Sequence, residues 1–170
     1  MALHKTRLSD RLHFVFEHLI PNQDVWDFCC DHGYLGGTAY KSKQFKNIYF
    51  VDQVPHLIEK IKIKFNDYLF EEENTSKAFF ITESGENILE NVEGTISITG
   101  VGGQTIQNIL SSLSKNNRLK AQRLILGPHK DAREMLEFIL NHPDLKKYCL
   151  QSKNEILENG RTRSLFIYDF

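Results

Sequence analysis

Strand-like and helix-like stretches alternate five times along this chain. That alternation leaves few folds open, because parallel strands need a crossover, usually a helix, between them. Apolar runs at residues 25–29, 47–51, 78–82, 95–99 and 123–126 read as strands. Helical patterns follow at 33–43, at 55–69, from Gly103 onward with Ile106, Ile109, Leu110 and Leu113 in phase, and at 132–140; a short segment ends near Glu93. Two more strands are expected at 148–157 and 163–169, on either side of Asn159-Gly160, a strong hairpin signal. An N-terminal helix over 8–20, with Leu8, Leu12, Val15, Phe16 and Leu19 at helical spacing, is capped by Ser9 or Asp10 and stopped by Pro21. The expectation is an α/β fold: a mainly parallel seven-stranded sheet with one antiparallel strand from the C-terminal hairpin.

Composition narrows the class. The chain has 170 residues, 41% hydrophobic and 25% charged, which fits a single domain over 1–170. No apolar run approaches bilayer length and the N-terminal residues lack the core of a secretory signal, so no membrane partner and a cytoplasmic location are expected. The three cysteines, two of them adjacent, make a poor disulfide framework and read as reduced. Neither they nor the seven scattered histidines show metal-ligand spacing, so no metal is expected. A formal charge of −1 excludes a broad cationic field for nucleic acid, though not a local patch. Basic residues cluster at Lys5, Arg7 and Arg11, at Lys41, Lys43 and Lys46, and at Lys60, Lys62 and Lys64; each cluster taken alone reads as a solvated face.

The chemistry concentrates after the first strand, in Val-Trp-Asp-Phe-Cys-Cys-Asp-His-Gly-Tyr-Leu-Gly-Gly over residues 25–37. In open α/β sheets a ligand binds at such a strand-to-helix turn. A dinucleotide fingerprint is missing, and Asp31 would repel a pyrophosphate. Asp27 and Asp31 suit an ammonium group, and the helix N-terminus suits a carboxylate, so a zwitterionic ligand such as S-adenosylmethionine fits better. The competing structural reading makes Asp31 only a helix cap. Asp52, ending the second strand about twenty residues on, is placed to accept ribose hydroxyls. Gly100, Gly102 and Gly103 follow the fourth strand, where they either admit a ligand or simply form a tight turn. Tyr34 and Trp26 read as core aromatics.

Three segments together, Leu8-Ser9-Asp10-Arg11-Leu12, Asp27-Phe28-Cys29-Cys30-Asp31-His32-Gly33-Tyr34-Leu35 and Thr99-Gly100-Val101-Gly102-Gly103, resemble the bacterial tRNA adenine-N1 methyltransferases that modify adenine 22. The likeness continues through Arg123 to His129 and on to Glu158-Asn159-Gly160. It implies a Rossmann-like class I methyltransferase fold, S-adenosyl-L-methionine as cofactor, and tRNA as partner. By matching position it implies that Asp27, Cys29, Asp31, His32, Gly33, Asp52, Gln53, Ser84, Gly100 and Gly102 line the cofactor. Asp10, Asp31 and His129 become candidates for handling the exocyclic amine of the target adenine, and Arg7, Arg11 and Gly103 for holding RNA. The chain departs from the family at Cys29-Cys30, where Gly-Ser is usual, at Ser84, which replaces an acid, and at Gly127-Pro128-His129, which replaces Gln-Pro-Asn. The family's C-terminal coiled-coil region is not found in this sequence. A catalytically silent cofactor-binding module of the same fold is the alternative.

Overall fold

The computed structural model of the chain describes residues 8–66 and 75–170. The described residues form seven strands, β1 (Val25–Phe28), β2 (Asn47–Asp52), β3 (Lys77–Thr82), β4 (Val92–Val101), β5 (Leu119–Pro128), β6 (Cys149–Glu158) and β7 (Arg161–Asp169). Their five α-helices are α1 (Asp10–Glu17), α2 (Tyr34–Ser42), α3 (Pro55–Asn66), α4 (Gly103–Lys115) and α5 (Ala132–Asn141). The strands make one sheet in the order β3-β2-β1-β4-β5-β7-β6. The first five are parallel, and β7 enters antiparallel between β5 and β6. The strand order reverses between β1 and β4, so the carboxyl ends of those two strands open a crevice between diverging connections.

Side chains alternate across the sheet and make two apolar layers. Val25, Ile48 and Phe50 pack with Val15, Leu35, Ile58 and Phe65, beneath α1, α2 and α3. Trp26, Phe28 and Ile96 pack with Ile106, Leu110, Met135 and Ile139, beneath α4 and α5. With both faces covered, the inner strands read as near-continuous apolar runs. On the second face Trp26, Tyr49 and Phe79 sit in register on three neighbouring strands. Their rings form a row: Trp26 lies 3.8 Å from Tyr49 at 3°, and Tyr49 lies 4.7 Å from Phe79 at 13°. Trp26 is buried, as a core residue should be, although its Nε1 has no partner among the described residues.

Several boundaries move. The first helix ends at Glu17 rather than at Ile20, because His18 closes it and the Ile20 N–H turns to the Thr95 hydroxyl (3.2 Å). Its cap is Ser9, which accepts from the Leu12 N–H at 3.4 Å. Strands β4 and β5 begin earlier than their apolar centres, since Glu93 and Lys120 pair in the ladder and Gln122 forms a bulge before Arg123. Helix α3 is described to Asn66; the rest of the expected helix, the acidic loop that follows it, Lys5 and Arg7 lie outside the described residues. Among the described residues no helix is long and apolar enough to cross a membrane.

Candidate active site

Strand β1 ends in a turn whose backbone alternates into the left-handed region: Cys29 at φ 55°, Asp31 at 50° and Gly33 at 67°. Left-handed backbone strains Cys29 and Asp31, and such strain persists where the surroundings over-determine it. Two carboxylates do so here. Asp52 accepts the Asp31 N–H on Oδ2 (3.1 Å) and the Val54 N–H on Oδ1 (3.0 Å), tying the two turns together. Asp27 is 6% exposed and accepts the Gly36 N–H on Oδ2 at 3.1 Å. That bond needs helix α2 close to the sheet, and glycine permits it: a Cβ on Gly36 would lie 2.4 Å from the Phe50 ring.

These turns border a cleft of about 180 Å³ at the strand-order reversal. Asp27, Cys29, Asp31 and His32 line one side, and Gly100 and His129 line it from the ends of β4 and β5. Helix α1 adds Arg11, whose Nε donates to Glu158 Oε2 at 3.2 Å while its buried Nη1 has no partner among the described residues. A Cβ on Gly100 would lie 3.8 Å from both Arg11 Nη1 and His129 Nε2, so the two cationic-capable groups stand together. Asp31 pairs with His32 through Nδ1 at 2.7 Å, and the His32 ring stacks on Tyr34 at 5.5 Å. A larger concavity of about 400 Å³ opens at the opposite end of the sheet, around Leu119, Tyr148 and Phe170, and none of the sequence-predicted site residues lines it.

Burial dominates the electrostatics. It pushes Asp27 up to about 7, with the nearby Asp52 charge helping and the Gly36 N–H and Arg11 opposing. It also raises the Cys29 thiol to about 12 and the Cys30 thiol further, with Asp27 and Asp52 adding to the effect, so neither is a ready nucleophile. His129 falls below its ordinary value, first through burial and then through the charges of Arg163, Arg11 and Arg161. Glu158 is opposed by burial, yet the Ser9 hydroxyl and Arg11 hold it below the usual carboxylate range.

The sequence-predicted residues separate into groups. Asp27, Cys29, Asp31, His32, Arg11, Gly100 and His129 share the cleft. Asp52 stands behind it as the tie between turns, and Gly33 starts α2 without a side-chain cap. Asp31 therefore does not cap that helix. Asp10 is exposed on α1 and does not line the cleft, nor do Gln53, Ser84 and Gly102. Ser84 precedes a single 3-10 turn at Gly85–Asn87. Gly103 meets the chain's own backbone, since a Cβ there would lie 2.4 Å from the Asp131 carbonyl oxygen. Arg11 is held against Glu158 with 15% of its side chain exposed, facing the cleft rather than an outer surface. Tyr34 is 42% exposed at the cleft rim, not in the core, because the turn before α2 aims it outward. Sequence reasoning did not group Arg161 and Arg163 with the site. They reach it only through the hairpin that folds back beside Arg11.

Among the described residues no group of three or more His, Cys, Asp or Glu is placed to hold a metal ion. A ligand cleft at the β1/β4 reversal of a sheet ordered this way, with acids ending β1 and β2, defines a Rossmann-like protein of the methyltransferase class. The methyltransferase domain family model matches residues 8–165, and the chain belongs to that family. A comparison with curated proteins finds no match. Among solved structures, the B. subtilis m1A22 tRNA methyltransferase TrmK is 22% identical, with a TM-score of 0.78 over 97% of this chain and 67% of that one. M. capricolum TrmK, solved with S-adenosyl-homocysteine, is 20% identical, with a TM-score of 0.74 over 95% of this chain and 68% of that one. The magnesium protoporphyrin IX methyltransferase of Synechocystis PCC 6803, also with S-adenosyl-homocysteine, is 10% identical, with a TM-score of 0.67 over 94% of this chain and 81% of that one.

Proposed function

We propose that the protein transfers a methyl group from S-adenosylmethionine to N1 of an adenine in tRNA, at the position corresponding to adenine 22. One observation carries the cofactor half of this reading. A buried carboxylate, Asp27, and a buried guanidinium nitrogen without a partner among the described residues, Arg11 Nη1, line the same small cleft. A free amino-acid group, ammonium plus carboxylate, matches that pair of opposite charges. Asp52 keeps one lone pair on each oxygen beyond its two backbone bonds, enough to accept ribose hydroxyls. The substrate half is supported by the likeness to TrmK structures along nearly the full chain.

The cofactor, when bound, supplies an electrophilic methyl on a sulfonium. Adenine N1 has an exposed lone pair and needs no base to activate it, so the chain's own work is positioning. N1 lies on the Watson–Crick edge, and the adenine must leave its pair and stack to reach the cleft. Tyr34 and His32, stacked at the rim, offer that base a flat face. On this reading Asp31, paired with His32, accepts a hydrogen bond from the exocyclic amine.

Mass spectrometry of unmodified tRNA incubated with protein and cofactor tests the reading. Site-mapped 1-methyladenosine supports it. Cofactor binding with no methylated adenosine would replace it with a silent binding module. In calorimetry, Asp52→Ala should weaken S-adenosylhomocysteine binding by roughly tenfold to a few hundredfold, one or two charge-assisted hydrogen bonds; unchanged affinity would remove Asp52 from the site.

A further inference from the structure

The hairpin of β6 and β7 brings two further arginines, Arg161 and Arg163, to the side of the cleft where Arg11 stands. Arg161 lies opposite Glu158 and Arg163 opposite Ile156, so both side chains leave β7 on the same face, two residues apart. That face is the one Arg11 reaches from α1, through its bond to Glu158. Arg11 holds the Glu158 carboxylate and the Arg163 charge also acts on it, while Arg161 pairs with Glu158 in the register of the two strands. Arg163 Nε is buried without a hydrogen-bond partner among the described residues. Neither Arg161 nor Arg163 has an ion-pair partner within 4.0 Å among the described residues, where Arg11 has Glu158 at 3.2 Å. His129, on the cleft wall beside Arg11, feels all three positive charges.

Buried donors without acceptors are rare in folded proteins, and an unbalanced cationic cluster around one is a place prepared for an anion. We infer that Arg161, Arg163 and His129 form a subsite for an RNA phosphate, the phosphodiester adjoining the nucleotide whose base enters the cleft. The anion site rests on the register of the hairpin and on the unpartnered Arg163 Nε, with His129 joined to it through the arginine charges; its assignment to RNA rests on the function proposed above. Guanidinium forks match phosphate oxygens, and a base inserted beside His129 carries its own phosphates to this edge. The subsite adjoins the cofactor's charged groups: His129 lines the cleft beside Arg11 Nη1, while Arg161 and Arg163 stand on the hairpin outside that lining.

The test has two arms. In the first, native protein and an Arg161→Gln/Arg163→Gln variant are titrated with a fluorescently labelled, unmodified tRNA transcript over a range of KCl concentrations. The variant should bind about tenfold more weakly, with a log Kd against log salt slope smaller by about 1 to 2, and with S-adenosylhomocysteine affinity unchanged. Equal affinity and equal slope would overturn the inference. In the second, NMR follows the His129 ring of the native protein as inorganic phosphate is added. The ring pKa should rise on phosphate binding, because the anion offsets the arginine charges, and Arg163→Gln should abolish the rise. A His129 ring that ignores phosphate overturns the subsite without any variant having to fold. A native protein that binds phosphate here yet binds no tRNA would keep the anion site, reject its assignment to RNA, and count against the proposed function.

Discussion

Asp27 shows how one side chain sets both stability and binding. Burial lifts its pKa from 3.8 to about 7, so the folded chain keeps a proton that the unfolded chain releases across that interval. The contribution of Asp27 to stability is therefore present below pH 3.8 and is lost as pH rises toward 7, by about 1.4 kcal/mol for each unit separating the two values. Asp27→Asn should raise the melting temperature of the ligand-free protein at pH 8 and change it little near pH 4. Thermal unfolding at the two pH values checks this, and an equal change at both would discount the carboxylate's charge. A cationic ligand reverses the preference, because an ammonium beside Asp27 favours the ionised form. S-adenosylhomocysteine should accordingly bind more weakly as pH falls below 7, approaching tenfold per unit; calorimetry in matched buffers would detect a flat profile if Asp27 does not face the ligand.

At the scale of elements, the turn from β1 into α2 is held by ties on both sides, and its glycine has two jobs. Gly33 has φ +67°, and a Cβ there would come within 2.9 Å of Ile61. Gly33→Ala should cost about 2 kcal/mol, from left-handed strain and crowding together, measured as a shift in the urea midpoint. Elements of this kind differ in how much the sequence reveals. The centres of β1, β2, β4 and β5 are legible because buried parallel strands must be apolar along their length. The outer parts of β4 and β5 are not, since Glu93 and Lys120 take their places in the ladder, and Gln122 its place in the bulge, without an apolar signature. Asp27, Asp31 and Asp52 are legible as acids at strand ends. The meeting of Arg11 with Glu158 is not, because 147 residues separate them and only the full sheet brings the hairpin back to α1. Tyr34 misleads for a related reason: helical spacing counts residues from the turn but does not give the direction in which three left-handed residues aim the helix.

Over the whole molecule, the antiparallel strand β7 closes the sheet against the first helix. Arg123 on β5 grips Asp169 on β7 through two bonds of 2.7 and 2.9 Å and also donates to the His18 carbonyl at 3.0 Å. The Arg123 hydrogen bonds hold Asp169 below the usual carboxylate range. This contribution is present above the unfolded value and is lost as pH falls through the lower folded one. A double-mutant cycle of Arg123→Gln and Asp169→Asn should give a coupling of about 1 kcal/mol at pH 7, the partial exposure of both groups keeping it modest, and none once Asp169 is protonated. The row of rings across β1, β2 and β3 carries an optical consequence. Trp26 is the only tryptophan in the chain, and it lies flat against Tyr49 at the centre of the sheet. Light absorbed by that tyrosine passes to the indole, so the protein's emission reports on one strand, the one that ends at the cleft, and loss of tyrosine-sensitised fluorescence times the opening of the innermost part of the fold.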